Sequence, residues 1–132
     1  MHVELRFPPA PASVRRAREA VASALDGRVS AEVERDVVLL VSEVVTTSLR
    51  HATPETRGDI GVLVSIRDDR IRVEVSDGGP GFDPQVRPSR EGPSGWGLYL
   101  VDYLADRWGI TRDGSNALWF ESDLERSPRV PA

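Results

Sequence analysis

Glu43, Thr47 and His51 follow one another at four-residue steps, a spacing that on a helix stacks side chains about 5–6 Å apart along one edge. Aliphatic stripes, Val37, Leu40, Val44 and Val38, Val41, Val45, flank that edge. A carboxylate beside so much apolar surface is costly if buried unpaired, so Glu43 either faces a cleft or has a partner; the competing reading is an ordinary solvated helix edge. A second group is Asp77-Gly78-Gly79-Pro80-Gly81, which directly follows a strand-like run. Its glycines permit positive φ and close approach of a ligand to the backbone, and an ionised aspartate, acceptor-only, suits an amino group such as the exocyclic amine of adenine. A plain turn is the alternative there. The third group, Gly92-Pro93-Ser94-Gly95-Trp96-Gly97, leads into a helix expected to begin near Leu98. Free backbone N–H groups at such a start form an anion cradle, unless the glycines serve packing alone.

The cradle matters because all 17 basic residues are arginine, which removes P-loop and Schiff-base lysines. Neither glycine cluster fits G-x-G-x-x-G, and Gly92-Pro93-Ser94-Gly95-Trp96 ends in tryptophan where a nucleophile elbow requires glycine. With no cysteine and only His2 and His51, zinc, iron–sulfur and thiol chemistry drop out. The net charge of −4, with arginines interspersed among acids, argues against nucleic-acid binding. The longest aliphatic run, Val37 to Val41, is far short of the roughly 20 residues of a membrane span, and the first residues lack a signal pattern, so a cytoplasmic setting without membrane contact is expected.

These groups must be positioned by the elements between them. His2 to Phe7 alternates as an edge strand before Pro8-Pro9. Ser13 is the expected N-cap of a helix carrying Val14, Ala17, Val21 and Leu25 on one stripe, ended by Asp26-Gly27. Ser30 is the expected cap of the longest helix, which runs to about Ala52 with Glu32 and Glu34 in its first turn. Strands are predicted over Ile60–Ile66 and Ile71–Val75, with a hairpin turn at Asp68-Asp69-Arg70. Ser76 to Ser94 is a glycine- and proline-rich loop with a mobile centre, followed by a helix from about Trp96 to Asp106. Strands at Trp108–Thr111 and Ala117–Glu121 close the chain. Its 132 residues suffice for one core, giving a single domain over 1–126 and a frayed tail over 127–132. The element order indicates an α+β, two-layer α/β sandwich with a mostly antiparallel sheet covered on one face by helices.

In order and spacing, the helix Val41 to Ala52 (VSEVVTTSLRHA), the turn Asp77 to Phe82 (DGGPGF) and the segment Ser94 to Val101 (SGWGLYLV) resemble the three nucleotide-binding boxes of the GHKL ATPase superfamily. The R-H-A helix ending and the run Leu100 to Gly109 resemble most its bacterial anti-sigma-factor serine/threonine kinases. The resemblance implies the Bergerat fold, ATP and Mg²⁺ as cofactors, and two partners: a sigma factor held inactive and an anti-anti-sigma (STAS-type) protein that carries the phosphoacceptor hydroxyl. It implies Glu43 as general base and Asp77 as the adenine-reading carboxylate, with Gly79 and Gly81 in the turn around the base. Gly95, Gly97 and Leu98 would form the phosphate-binding loop and helix start, and Phe82 to Ser94 the lid. Asn116, or Ser115 one residue earlier, falls where the family has a threonine near the adenine. Thr47, with His51 one turn on, lies on the nucleotide-binding edge.

Thr47 is also the departure, standing where the family has a magnesium-coordinating asparagine. Its hydroxyl oxygen is one bond nearer the backbone than an amide oxygen, which calls for a bridging water or weakens a site that demands ligands at about 2.0–2.1 Å. Thr46 is about 100° away around the helix and does not substitute. The alternative function is therefore a degenerate domain that binds a partner with weak or no nucleotide binding. Helix and sheet-edge surfaces also allow a homodimer. Trp96, Tyr99, Tyr103 and Trp119 are expected to fill core or interface.

Overall fold

The computed structural model describes residues 1–50, 58–76, 93–111 and 117–125, with the backbone alone for 93–98. In chain order the elements are β1 (His2–Phe7), α1 (Ala12–Leu25), α2 (Ala31–Arg50), β2 (Ile60–Arg67), β3 (Arg70–Ser76), α3 (Pro93–Leu104), β4 (Arg107–Thr111) and β5 (Ala117–Asp123). The strands form one sheet in the order β1-β2-β3-β5-β4, and every neighbouring pair is antiparallel. Period-two alternation sends Val62 and Val64, Val73 and Val75, and Leu118 and Phe120 to one face, where they are buried. Against them pack Ala17, Val21 and Leu25 of α1, the long apolar stripe of α2 and Val101 of α3. Each large aliphatic or aromatic side chain buried this way contributes about 1.5–3 kcal/mol. The result is the expected α+β two-layer sandwich.

Local chemistry explains most of the boundaries. Ser30 caps α2 as expected: its Oγ accepts from Val33 N–H at 3.2 Å, and its carbonyl accepts from Glu34 N–H at 2.9 Å. The β2–β3 turn places Asp68 at φ 54° and Asp69 at φ 61°, the left-handed pair that matches the twist of a tight hairpin and that aspartate tolerates. Ser13 does not cap α1. Pro11, already helical at φ −55°, supplies the entry, and Ser13 lies within the first turn, buried, donating its hydroxyl to the Pro8 carbonyl at 2.6 Å. α3 also departs from expectation, starting at Pro93 and ending at Leu104 instead of running from about Trp96 to Asp106. A proline at the first helical position loses no hydrogen bond and has φ preset, so it outweighs the glycines that follow. α2 is described to Arg50, and its expected extension to Ala52 lies outside the described residues, as do the centre of the glycine-rich loop and the tail.

The second face of the sheet carries charge. Glu121, with only 12% of its side chain exposed, accepts from Arg107 at 2.8 Å and from Arg72 at 3.1 Å, with Arg70 at 3.6 Å. Arg107 also bonds Asp123, and Arg72 bonds Glu74 at 2.9 Å. The Arg72 guanidinium lies 4.4 Å above the Trp119 ring. That ring covers Gly109, where a Cβ would stand 2.9 Å from it. Trp119 is thus a lid on the open face of the sheet, held by a cation–π contact, and not core filler.

Hydrogen bonds from Arg107, and then from Arg72, hold the Glu121 carboxyl below the usual carboxylate range despite its burial. A carboxyl depressed on folding adds stability above its unfolded pKa of about 4.3, and that stability is lost as pH falls through the lower folded value. Thermal melts should therefore show Glu121→Gln less stable than the parent at neutral pH, with the difference shrinking below about pH 4. Equal melting temperatures for the two proteins at pH 7 would show that the network adds nothing.

Candidate functional site

Glu43 is half-buried on the middle of α2, and Thr47, one turn on, is 5% exposed. Three successive hydroxyls in this turn fold back on their own helix: Thr46 donates to the Ser42 carbonyl at 2.7 Å, Thr47 to that of Glu43 at 2.9 Å and Ser48 to that of Val44 at 3.1 Å. Such i−4 bonds occupy the hydroxyl proton and leave only oxygen lone pairs to offer a ligand. The Thr47 oxygen is therefore drawn back towards the helix axis, on a residue nearly closed off from solvent, and turned to the backbone carbonyl of Glu43. Thr46, on a different side of the helix, makes its own separate bond, as the helical angle requires.

α3 packs on α2, with Val101 buried between α3 and the core. Because the helix opens at Pro93, Gly95 and Gly97 lie inside its first turns and not in a loop before it, and Leu98 follows within the helix. Pro93 has no N–H, so the backbone donors left free of intrahelical partners in this turn are those of Ser94 and Gly95. At the other end, Trp108 Nε1 donates to Asp102 at 2.9 Å and ties α3 to β4. The Tyr99 and Tyr103 rings stack at 6.3 Å, and Tyr103, 65% exposed, lies on the surface. His51, Asp77, Gly79, Gly81 and Asn116 lie outside the described residues, as do Ser115 and residues 82–92 of the segment expected to be a lid, whose last two residues, Pro93 and Ser94, belong to α3.

This donor set suits the oxygens of a polyphosphate such as that of ATP: the backbone N–H groups of Ser94 and Gly95 at a helix start, with the positive end of the dipole behind them. Mg²⁺ fits less well. Among the described residues no group of three or more acidic or histidine side chains converges on a point, and the Thr47 hydroxyl is retracted and nearly closed off. Direct ligation by Thr47 at the short distances Mg²⁺ requires does not suit this geometry. The back-bond of Thr47 was not anticipated from sequence, although a threonine inside a helix is itself a signal for one.

The model of the histidine kinase-like ATPase domain family matches residues 7–121. The chain is 36% identical over 90 residues to serine-protein kinase RsbW of Listeria innocua, covering 58% of this chain and 57% of that protein. It is 28% identical over 103 residues to serine-protein kinase RsbW of Bacillus cereus, covering 69% of this chain and 64% of that protein. The chain thus spans less than two thirds of these curated relatives. Among solved structures, the RsbU and RsbW domains of a Mycobacterium tuberculosis protein superpose with a TM-score of 0.74 at 18% identity, over 100% of this chain and 35% of that one, a likeness of fold. The histidine kinase domain of a blue-light activated histidine kinase from Erythrobacter litoralis gives 0.57 at 26% identity, over 86% of this chain and 60% of that one.

Proposed function

Because the chain belongs to the histidine kinase-like ATPase domain family, we propose that it is an ATP-dependent serine/threonine protein kinase of the anti-sigma-factor type. In this reading it sequesters a sigma factor and phosphorylates a small STAS-type antagonist, in the cytoplasm. Residues 1–126 act as one domain. What supports the reading is that α2, which carries a half-buried carboxylate, packs on α3, in a chain whose curated relatives are serine-protein kinases. Among the described residues no helix is long and apolar enough to cross a membrane.

The division of labour follows from the donor and acceptor types. When bound, ATP supplies the γ-phosphoryl group. Glu43 would orient the acceptor hydroxyl and accept its proton as that oxygen displaces ADP from the γ-phosphorus. The α3 backbone donors of Ser94 and Gly95, with Gly97 and Leu98 continuing the helix, hold phosphate oxygens against the positive end of the dipole. Asp77 reads the adenine amine, Gly79 and Gly81 let the backbone approach the base, and Asn116 takes the polar position near it. Thr47 and His51 line the same edge of α2.

The back-bonded Thr47 favours a second reading, a partner-binding module with weak nucleotide affinity. Calorimetry of the wild-type protein with ATP and ADP, with and without Mg²⁺, separates the two. Metal-enhanced binding is the expected result, and no binding by the folded protein would overturn the kinase reading. In the same experiment Thr47→Asn, which extends a carbonyl oxygen past the hydroxyl position, should tighten Mg²⁺-dependent binding by about tenfold, the equivalent of one added charge-assisted contact of about 1.4 kcal/mol. Unchanged affinity would remove Thr47 from the metal position.

A further inference from the structure

At its β2–β3 hairpin end, the open face of the sheet holds a cleft of about 360 Å³ lined by Ser65, Arg67, Asp68, Arg70, Arg72 and Glu121. Register explains why arginines gather there. Val64, Ile71 and Val73 point into the core, so alternation sends Ser65, Arg67, Arg70 and Arg72 to the face away from the helices. Strand pairing then sets Arg67 directly opposite Arg70, and Ser65 directly opposite Arg72. Like charges so placed repel, and an anion between them relieves the repulsion. The neighbouring carboxylates are already engaged. Arg72 donates through Nε and Nη2 to Glu74 and through Nη1 to Glu121, and Arg107 bonds Glu121 and Asp123. Both oxygens of Glu121 are therefore in use, and Arg70 stands 3.6 Å from it, beyond a hydrogen bond. Among the described residues, no ion pair or side-chain hydrogen bond engages Arg67 or Ser65. Asp68, in the turn, is the cleft carboxylate that opposes an anion.

We propose that this cleft binds a phosphate monoester dianion, with the Arg67 and Arg70 guanidinium groups and the Ser65 hydroxyl as its donors. Guanidinium forks match phosphate oxygens in pairs, and two negative charges offset both arginines where a single carboxylate offsets one. Arg72 and Glu121, committed to each other and to Glu74 and Arg107, form the fixed floor of the site. The volume falls within the range of small-molecule sites, about 300–1,000 Å³, and so accommodates the phosphoryl group with part of the molecule that bears it. The cleft lies across the sheet from α2 and α3, so the proposal does not rest on the kinase reading. Free phosphate and a phosphorylated protein side chain present the same group, and the experiment separates them.

The test is a nuclear magnetic resonance titration of the ¹⁵N-labelled full chain with inorganic phosphate and, separately, with phosphoserine amide, at constant ionic strength and about pH 7. The backbone amides of Ser65 to Arg72 should shift and saturate with a dissociation constant of about 1 mM. Arg67→Gln and Arg70→Gln should each weaken binding at least about fivefold. Arg16→Gln, which removes an exposed arginine from α1 in the helical layer, should leave it unchanged. Asp68→Asn should act in the opposite direction and tighten binding about threefold, because it removes the opposing charge while asparagine keeps the φ of 54°. All four side chains are exposed, so circular dichroism should show every variant folded. Phosphoserine amide binding several-fold tighter than phosphate would identify a phosphorylated protein side chain as the source, and equal or weaker binding would identify free phosphate. No shifts at about 20 mM of either ligand, affinity indifferent to both Arg67→Gln and Arg70→Gln, or an equal loss in Arg16→Gln would each overturn the proposal.

Discussion

Glu43→Ala should reduce phosphoryl transfer to an acceptor protein by about 10²–10⁴-fold, the usual cost of losing a positioned general base. The fold should survive, because Glu43 is half-buried at the helix surface and alanine is the best helix former. Nucleotide binding should change little, since the phosphate donors belong to the backbone of α3 and a base acts on the acceptor hydroxyl. The measurement is a phosphotransfer rate with the acceptor saturating, alongside ATP affinity and partner binding for the same variant. A variant that transfers phosphate at the parental rate would take the general-base role away from Glu43. A variant that loses ATP affinity and transfer together would instead make Glu43 a nucleotide-binding group.

Phe120→Ala should cost about 3–5 kcal/mol of stability, the range for deleting a buried aromatic ring. Phe120 is the largest fully buried side chain among the described residues, and it stands on β5 between Val73 of β3 and Trp108 of β4 in the register of the sheet. Its loss opens a cavity where the strands meet the helical layer, and a close-packed interior closes such a cavity only partly. For a domain with the usual stability of about 5–15 kcal/mol, this is enough to leave a substantial unfolded fraction at 37 °C. Urea titration measures it directly. A loss below about 1 kcal/mol would show that the neighbouring side chains collapse into the space.

The sequence by itself carried what depends on near neighbours in the chain. Alternation of Val62, Val64, Val73 and Val75 marked β2 and β3 and their buried face, because the strand period is a local property. The Ser30 cap, the aspartates of the hairpin turn and the helical spacing of Glu43 and Thr47 are local in the same sense, each set by backbone geometry within four residues. Three short motifs in the right order also carried the family, because their spacing mirrors the order of the elements.

Tertiary structure decided the rest. The pairing of β3 with β5, which places β4 at the far edge, joins strands distant in sequence, and no local period encodes it. Glu121 reads as an ordinary strand glutamate until the register brings Arg70, Arg72 and Arg107 to it from two different strands. Trp119 reads as core or interface filler until Gly109 is found opposite it on the open face. The same holds at the helices. Pro93 and Gly95 compete locally to start and to stop α3, and packing on α2 settles the contest in favour of helix from Pro93. Thr47 is apt for a ligand by type and position, yet the bundle buries it, and a buried hydroxyl takes the nearest acceptor, the Glu43 carbonyl one turn back. Residue type and spacing determine which groups are available. Burial and register, which depend on the whole chain at once, determine which of those groups are left to meet a ligand.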